Sequence, residues 1–163
     1  MNENIEVRVG IADMKIVKNP EKVLTIGLGS CVGISFYDKR KNIAGLAHIM
    51  LPDSTKFKKI TNEMKYADLA VPILLSKMKA LGCETRNIEV KIAGGASMFQ
   101  FADSKIISDV GKRNIEAVID IMKVTGMRII ASEVGGNKGR TMIVNSKDGI
   151  VEIKSIGLEI KHI

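Results

Sequence analysis

The chain has 163 residues, 45% of them hydrophobic and 26% charged, with a net charge of +7 at neutral pH. That size and mixture predict one packed domain over residues 1–163 and exclude a disordered chain, and no apolar run approaches the roughly 20 residues that cross a bilayer. Two cysteines and the absence of Trp exclude a disulfide framework and leave the core to Ile, Val, Leu, Met and Ala.

The N-terminal residues alternate polar and apolar positions without the apolar core of a signal peptide, so a cytoplasmic chain with free thiols is expected. The positive charge suits an acidic partner surface. Its lysines are spread along the chain, and the one cluster, Lys56-Phe57-Lys58-Lys59, has no aromatic stacking platform, so nucleic acid is not the expected partner.

The first elements read as strands. Ile5, Val7 and Val9 alternate with charged residues, the period of a half-buried strand, and residues 12–17 predict a second. Residues 22–28 and 31–37 follow as buried strands, separated by the turn Gly27-Leu28-Gly29-Ser30. After a polar turn from Asp38 to Asn42, residues 43–51 return as an apolar strand, and 52–64 form a polar loop. A helix is predicted over 65–81, with Ala67, Ala70, Leu74, Met78 and Leu81 on one stripe. Pro72 inside it predicts a kink or a start nearer Val71, and Gly82 a stop.

Residues 88–93 form a strand that runs into Gly94-Gly95. A second helix over about 109–125 carries Val110, Asn114, Val118, Ile121 and Met122 and ends at Gly126. A strand over 128–133 leads into the turn Gly135-Gly136-Asn137-Lys138-Gly139. Residues 141–146 and 150–155 form a hairpin, with Asp148-Gly149 as a two-residue turn signal. Many strands and two helices that do not alternate strictly with them predict an α+β fold, in which mixed and antiparallel sheets pack in layers flanked by the helices.

The chemistry centres on Cys31. Its setting, a turn with glycines at 27, 29 and 33, strips side chains from the neighbourhood and lets a substrate approach closely. His48 is the imidazole on the next strand. The other histidine, His162, lies at a fraying end. If the turn between the strands centres near Lys39-Arg40, Cys31 and His48 lie opposite each other, and a one-residue slip would turn His48 to the other face. Cys31 reads either as a small residue closing a turn or as a nucleophile whose thiol is activated by an imidazolium. His48 reads either as a satisfied core histidine or as the general base. Thr25, on the strand before the turn, is either an ordinary strand residue or the group that orients the imidazole.

Cys31, Cys83 and His48 lack the short spacing of zinc ligands, so neither a metal nor a cofactor is expected. Gly94-Gly95-Ala96-Ser97 lacks the lysine of a phosphate-binding loop and suits a close backbone approach at the rim of the site. Asn114 and Arg140 are polar groups without a role that position alone assigns.

Five ordered segments resemble the CheD family of chemoreceptor glutamine deamidases. They are Leu24-Thr25-Ile26-Gly27-Leu28-Gly29-Ser30-Cys31-Val32, Ala47-His48-Ile49-Met50-Leu51-Pro52-Asp53-Ser54, Lys65-Tyr66-Ala67-Asp68, Lys91-Ile92-Ala93-Gly94-Gly95-Ala96-Ser97-Met98-Phe99 and Gly111-Lys112-Arg113-Asn114. The likeness runs from about residue 9 to 155, and Pro72 is a local departure from the family's helix. The resemblance implies a fold related to the cysteine-dependent deamidating toxins, with Cys31, His48 and Thr25 as the catalytic set. Ser30, Asp53, Gly94 and Gly95, all inside these segments, are candidate substrate-binding residues. The implied reaction turns receptor glutamines into glutamates through a Cys31 thioester, on the cytoplasmic helices of a methyl-accepting chemoreceptor. A CheC-type phosphatase of the response regulator is an implied second partner. A non-catalytic adaptor for that phosphatase, or a redox-sensing thiol, are the competing readings.

Overall fold

The computed structural model describes residues 5–98 and 110–163. Phe99 of the fourth resembling segment, the start of the second helix at residue 109 and the first four residues lie outside the described residues. Ten strands and two α-helices are described in chain order: β1 (Glu6–Val9), β2 (Met14–Lys18), β3 (Lys22–Leu28), β4 (Val32–Asp38), β5 (Ile43–Ile49), α1 (Ala67–Ala80), β6 (Ile88–Gly94), α2 (Val110–Thr125), β7 (Ile129–Val134), β8 (Arg140–Asn145), β9 (Val151–Lys154) and β10 (Lys161–His162). The polar loop after β5 holds two short 3-10 turns, Ser54–Lys56 and Glu63–Lys65.

The strands form two five-stranded mixed sheets, in the orders β1-β3-β8-β9-β10 and β2-β5-β4-β6-β7. Within them only β1–β3 and β6–β7 run parallel. Alternation along β4 and β5 divides the core in two. Val32, Ile34, Phe36, Ala47 and Ile49 face the helices, where they meet Ala70, Leu74 and Met78 of α1 and Val118 and Met122 of α2. The other face of the same sheet packs on the first sheet through Tyr37, Ala44, Leu46, Leu28, Met142 and Val144. The layers are therefore helix, sheet, sheet, and both helices cover the second sheet. The expected α+β architecture holds.

The β4–β5 loop fixes the register on which the site depends. The Asp38 carboxylate accepts from the N–H groups of Arg40 (2.9 Å) and Lys41 (3.1 Å), an Asx-type turn. Asp38 then pairs with Ile43, and Gly33, not Cys31, lies opposite His48. The loop centres on Arg40 and Lys41, one position later than the sequence suggests. The ladder shifts by two residues, so His48 keeps the expected face and Cys31 becomes its diagonal neighbour.

Other boundaries differ for local reasons. The strand predicted to run to residue 51 ends at Ile49, because the N–H groups of Met50 and Leu51 both turn to the Lys65 carbonyl (2.8 Å each). Leu81 is not on the buried stripe; it caps α1 and is 42% exposed, whereas Val71 takes an inward position. Asp148-Gly149 is not a two-residue turn. Val144 pairs with Val151, and the Gly149 N–H donates to the Asn145 carbonyl across a longer loop.

Pro72 delays neither end of α1, which starts at Ala67 and continues through it. At this position, beyond the first turn, the ring removes the bond to the Asp68 carbonyl. Pro72→Ala is therefore expected to stabilise the protein by about 1–3 kcal/mol. Urea unfolding checks this, and an unchanged midpoint would contradict it.

Candidate active site

Three elements from two sheets converge on His48. Its imidazole leaves β5 on the face that packs against the first sheet, where β3 presents Thr25. Both residues are 0% exposed. Thr25 Oγ1 lies 2.7 Å from His48 Nδ1 and 2.8 Å from the Val9 carbonyl oxygen of β1. A hydroxyl has one proton to give. The carbonyl can only accept, so the Thr25 proton goes to Val9 and the hydroxyl oxygen accepts from the imidazole. Nδ1 therefore carries the ring proton, and in the neutral ring Nε2 presents a bare lone pair. Among the described residues Nε2 is buried and has no hydrogen-bond partner. This is the tautomer that proton acceptance at Nε2 requires. The histidine backbone is held as well, by His48 N–H to Asp13 (3.1 Å) and Ala12 N–H to the His48 carbonyl (2.9 Å).

Cys31 sits in the bend just before β4 and packs, half-buried, on the same inter-sheet cluster that contains Leu28 and Met142. It thus shares the His48 face of the sheet. The carbon at Gly33, between them in register, faces Met142 Sδ, which would lie 2.7 Å from an added Cβ; a side chain there would crowd the floor of the site.

The two reactive groups rest in neutral forms. Burial pushes the Cys31 thiol above its ordinary value, and its own backbone N–H works weakly against that shift. Burial lowers the imidazole of His48. Both shifts have the sign of desolvation. The shift of the thiol is opposite in sign to the one a neighbouring imidazolium would produce.

The remaining candidate positions divide by role. Gly94 adopts φ +109°, and a Cβ there would strike the Cys31 carbonyl oxygen. Gly95, at φ +65°, would strike Ile115 of α2. The Gly95 N–H donates to the Cys31 carbonyl and the Ala96 N–H to the Gly29 carbonyl, both at 2.8 Å. These glycines bring the chain's own backbone against the nucleophile turn. Asp53 caps the 3-10 turn at Ser54–Lys56, taking the backbone N–H (2.9 Å) and hydroxyl (2.7 Å) of Thr55. Ser30 offers its carbonyl to Asn114 Nδ2 (2.9 Å).

Asn114 and Arg140 are the residues whose part the sequence does not assign. Asn114, 0% exposed on α2, also donates to the Met50 carbonyl (2.9 Å). The buried Arg140 donates to the carbonyls of Gly94 (3.2 Å) and Gly135 (2.8 Å). Beside the turn runs a groove of about 630 Å³, whose lining includes the apolar Ile26, Met98 and Ile156 and the basic Lys138 and Lys154.

A buried imidazole held through Nδ1 by Thr25 and a half-buried thiol thus share one face of the sheet. The chain belongs to the CheD family. The model of the family described as CheD chemotactic sensory transduction matches residues 50–155. A relative from Clostridium botulinum (strain Eklund 17B / Type B), named a probable chemoreceptor glutamine deamidase CheD, is 58% identical over 97% of this chain and 98% of its own length. One of the same name from Clostridium novyi (strain NT) is 52% identical over 100% of both chains. A crystal structure of the Bacillus licheniformis hypothetical protein YfiH overlaps 74% of this chain and 49% of its own, at 13% identity and a TM-score of 0.43.

Two outcomes follow from the resting state. Since burial raises the Cys31 thiol, its iodoacetamide alkylation is expected to climb about tenfold per pH unit through pH 8. A rate already level near neutrality would show a preformed ion pair. Thr25→Val removes the acceptor for Nδ1–H, so the His48 tautomer population is expected to move toward Nε2–H. Histidine ¹⁵N shifts report that change directly.

Proposed function

We propose that this chain is a protein-glutamine deamidase that converts chemoreceptor glutamines to glutamates in chemotaxis adaptation, with Cys31 as nucleophile, His48 as general base and Thr25 as its orienting group. The observation that carries the reading is the Val9–Thr25–His48 relay, which leaves Nε2 unprotonated and, among the described residues, unpartnered on the face that holds Cys31. Names shared by relatives at 52–58% identity agree with it.

In this mechanism the carboxamide of a receptor glutamine enters beside Cys31 and displaces water. His48 Nε2 takes the thiol proton as the sulfur attacks the amide carbon. The Cys31 N–H donates to the developing oxyanion. The imidazolium returns the proton to the amide nitrogen, the C–N bond breaks and ammonia leaves. Water then attacks the thioester carbon, giving its proton to the imidazole. The C–S bond breaks, the thiol is restored and glutamate remains. No metal or cofactor enters the scheme.

The receptor presents its glutamine on a helix, so the enzyme must hold a helix face. The groove beside the turn, apolar along Ile26, Met98 and Ile156 and basic at Lys138 and Lys154, suits an amphipathic helix with acidic flanks, and the +7 charge favours the encounter. In this reading Ser30 and the Gly94-Gly95 backbone shape the approach to the sulfur, a role supported by their contacts to the Cys31 turn. A CheC-type phosphatase is proposed as a second partner on the family resemblance.

Intact-mass analysis of receptor fragment incubated with the protein tests the activity: each glutamine converted gains about 1 Da, a covalent change independent of assay chemistry. Cys31→Ala is expected to lower the rate by roughly 10³-fold or more. Conversion that persists in Cys31→Ala at the wild-type rate would refute the assignment. A folded Cys31→Ala that still binds and stimulates the phosphatase would establish the adaptor role beside the enzyme.

A further inference from the structure

We propose that Asn114 is a positioning residue for the thiol–imidazole pair, holding the turn that carries Cys31 to the strand that carries His48. This inference rests on the deamidase reading for its kinetic consequence, but its geometry stands apart from it. The β4–β5 ladder ends at Val32 and Ile49. Beyond that pair the strands part, because the N–H groups of Met50 and Leu51 are committed to the Lys65 carbonyl. The site lies just where the ladder stops: Cys31 is one residue past Val32, and His48 one residue before Ile49.

The amide of Asn114 takes over from the ladder at that point. Its Nδ2 lies 2.9 Å from the Ser30 carbonyl and 2.9 Å from the Met50 carbonyl. One NH₂ group has two protons, and here each goes to a different segment. The nucleophile's preceding peptide and the peptide two residues after the base are thereby joined through one planar group, which is wholly buried. The chemistry of this position is narrow. Aspartate would set a carboxylate against two carbonyl oxygens. Serine has one proton to give. Alanine removes the donor that both half-buried carbonyls share.

The helix that supplies Asn114 is itself locked onto the nucleophile's other flank. At Gly111, one turn earlier on α2, an added Cβ would lie 2.5 Å from the Ala96 carbonyl and 2.6 Å from that of Gly95. Gly95 in turn donates to the Cys31 carbonyl (2.8 Å). The first turns of α2 thus brace Cys31 from both sides, through Gly111 against the Gly95–Ala96 backbone and through Asn114 against Ser30 and Met50.

The test separates positioning from mere stability. With receptor fragment as substrate, Asn114→Ala is expected to lower kcat of the folded protein by roughly 10- to 100-fold with KM little changed, the effect of displacing reacting groups by a fraction of an ångström. Asn114→Ser, which keeps one donor, should recover part of that loss, and it serves as the test variant if the alanine protein does not fold. Iodoacetamide alkylation of Cys31 gives a second readout that needs no receptor. In wild type, His48→Ala should slow alkylation, and in the Asn114→Ala or Asn114→Ser background the same change should have a much smaller effect, a loss of coupling read by double-mutant cycle. A folded Asn114 variant with wild-type kcat, or with the His48 effect on alkylation intact, overturns the proposal. Failure of wild type to deamidate at all would remove the deamidase reading and leave the alkylation cycle to decide the role of Asn114.

Discussion

The arrangement depends on where one hydroxyl proton points. Thr25 stands between the two sheets, and its proton is drawn to the Val9 carbonyl within its own sheet. Everything on the other side follows from that commitment: the oxygen must accept, Nδ1 must donate, and Nε2 is left with its lone pair. The surroundings make the commitment firm. The inter-sheet layer around them is built largely from Leu28, Leu46, Met142, Val144 and their neighbours. Each bond contributes about 0.5–1.5 kcal/mol net, and leaving either group unpaired in that layer would cost about 1–3 kcal/mol. The larger penalty is what specifies a single tautomer.

The same apolar layer that fixes the tautomer also sets the resting charge. Desolvation raises the thiol and lowers the imidazole, so each group is held in its neutral form. A separated ion pair at this depth would carry two desolvation penalties and gain one attraction, and that balance often fails to close. A neutral pair lowers the reactivity of Cys31 toward adventitious electrophiles, because the thiolate is the reactive species. In the proposed reaction the proton moves only when the carboxamide supplies an electrophile and its oxygen meets the Cys31 N–H, so charge appears where a donor already stands.

Much of this was legible in the chain. The strands around the site were, because β4 and β5 are long, apolar and separated by a polar turn. The face shared by Cys31 and His48 was legible for a stronger reason. The loop centre was misplaced by one position, yet the resulting shift is two residues of register and the strand period is two. What the sequence could not supply was the exact opposition, since it is set by side-chain bonds from Asp38 to the backbone of Arg40 and Lys41. The resting protonation state was also out of reach, because desolvation depends on packing between two sheets. Leu81 departs from the stripe because the helix ends at Ala80, and the helical period in the sequence runs one residue past that end, up to the turn at Gly82. Asn114 was visible as a polar residue on a helix but mute as to purpose: its partners are carbonyls 84 and 64 residues away in the chain, and carbonyls have no sequence signature.

The residues that surround Cys31 explain why its turn is poor in side chains. A turn outside any ladder has to find its hydrogen bonds elsewhere. The Cys31 and Gly29 carbonyls take theirs from Gly95 and Ala96, and that of Ser30 from Asn114. Three donors from two other segments can reach so short a stretch only if the backbones touch, and a Cβ at Gly94, Gly95 or Gly111 would prevent it. Arg140 extends the support one layer outward by taking the Gly94 and Gly135 carbonyls. The glycines therefore serve the enzyme's own chain before they serve a substrate. They turn a flexible sequence into a braced one, and Cys31 sits half-buried within that braced turn.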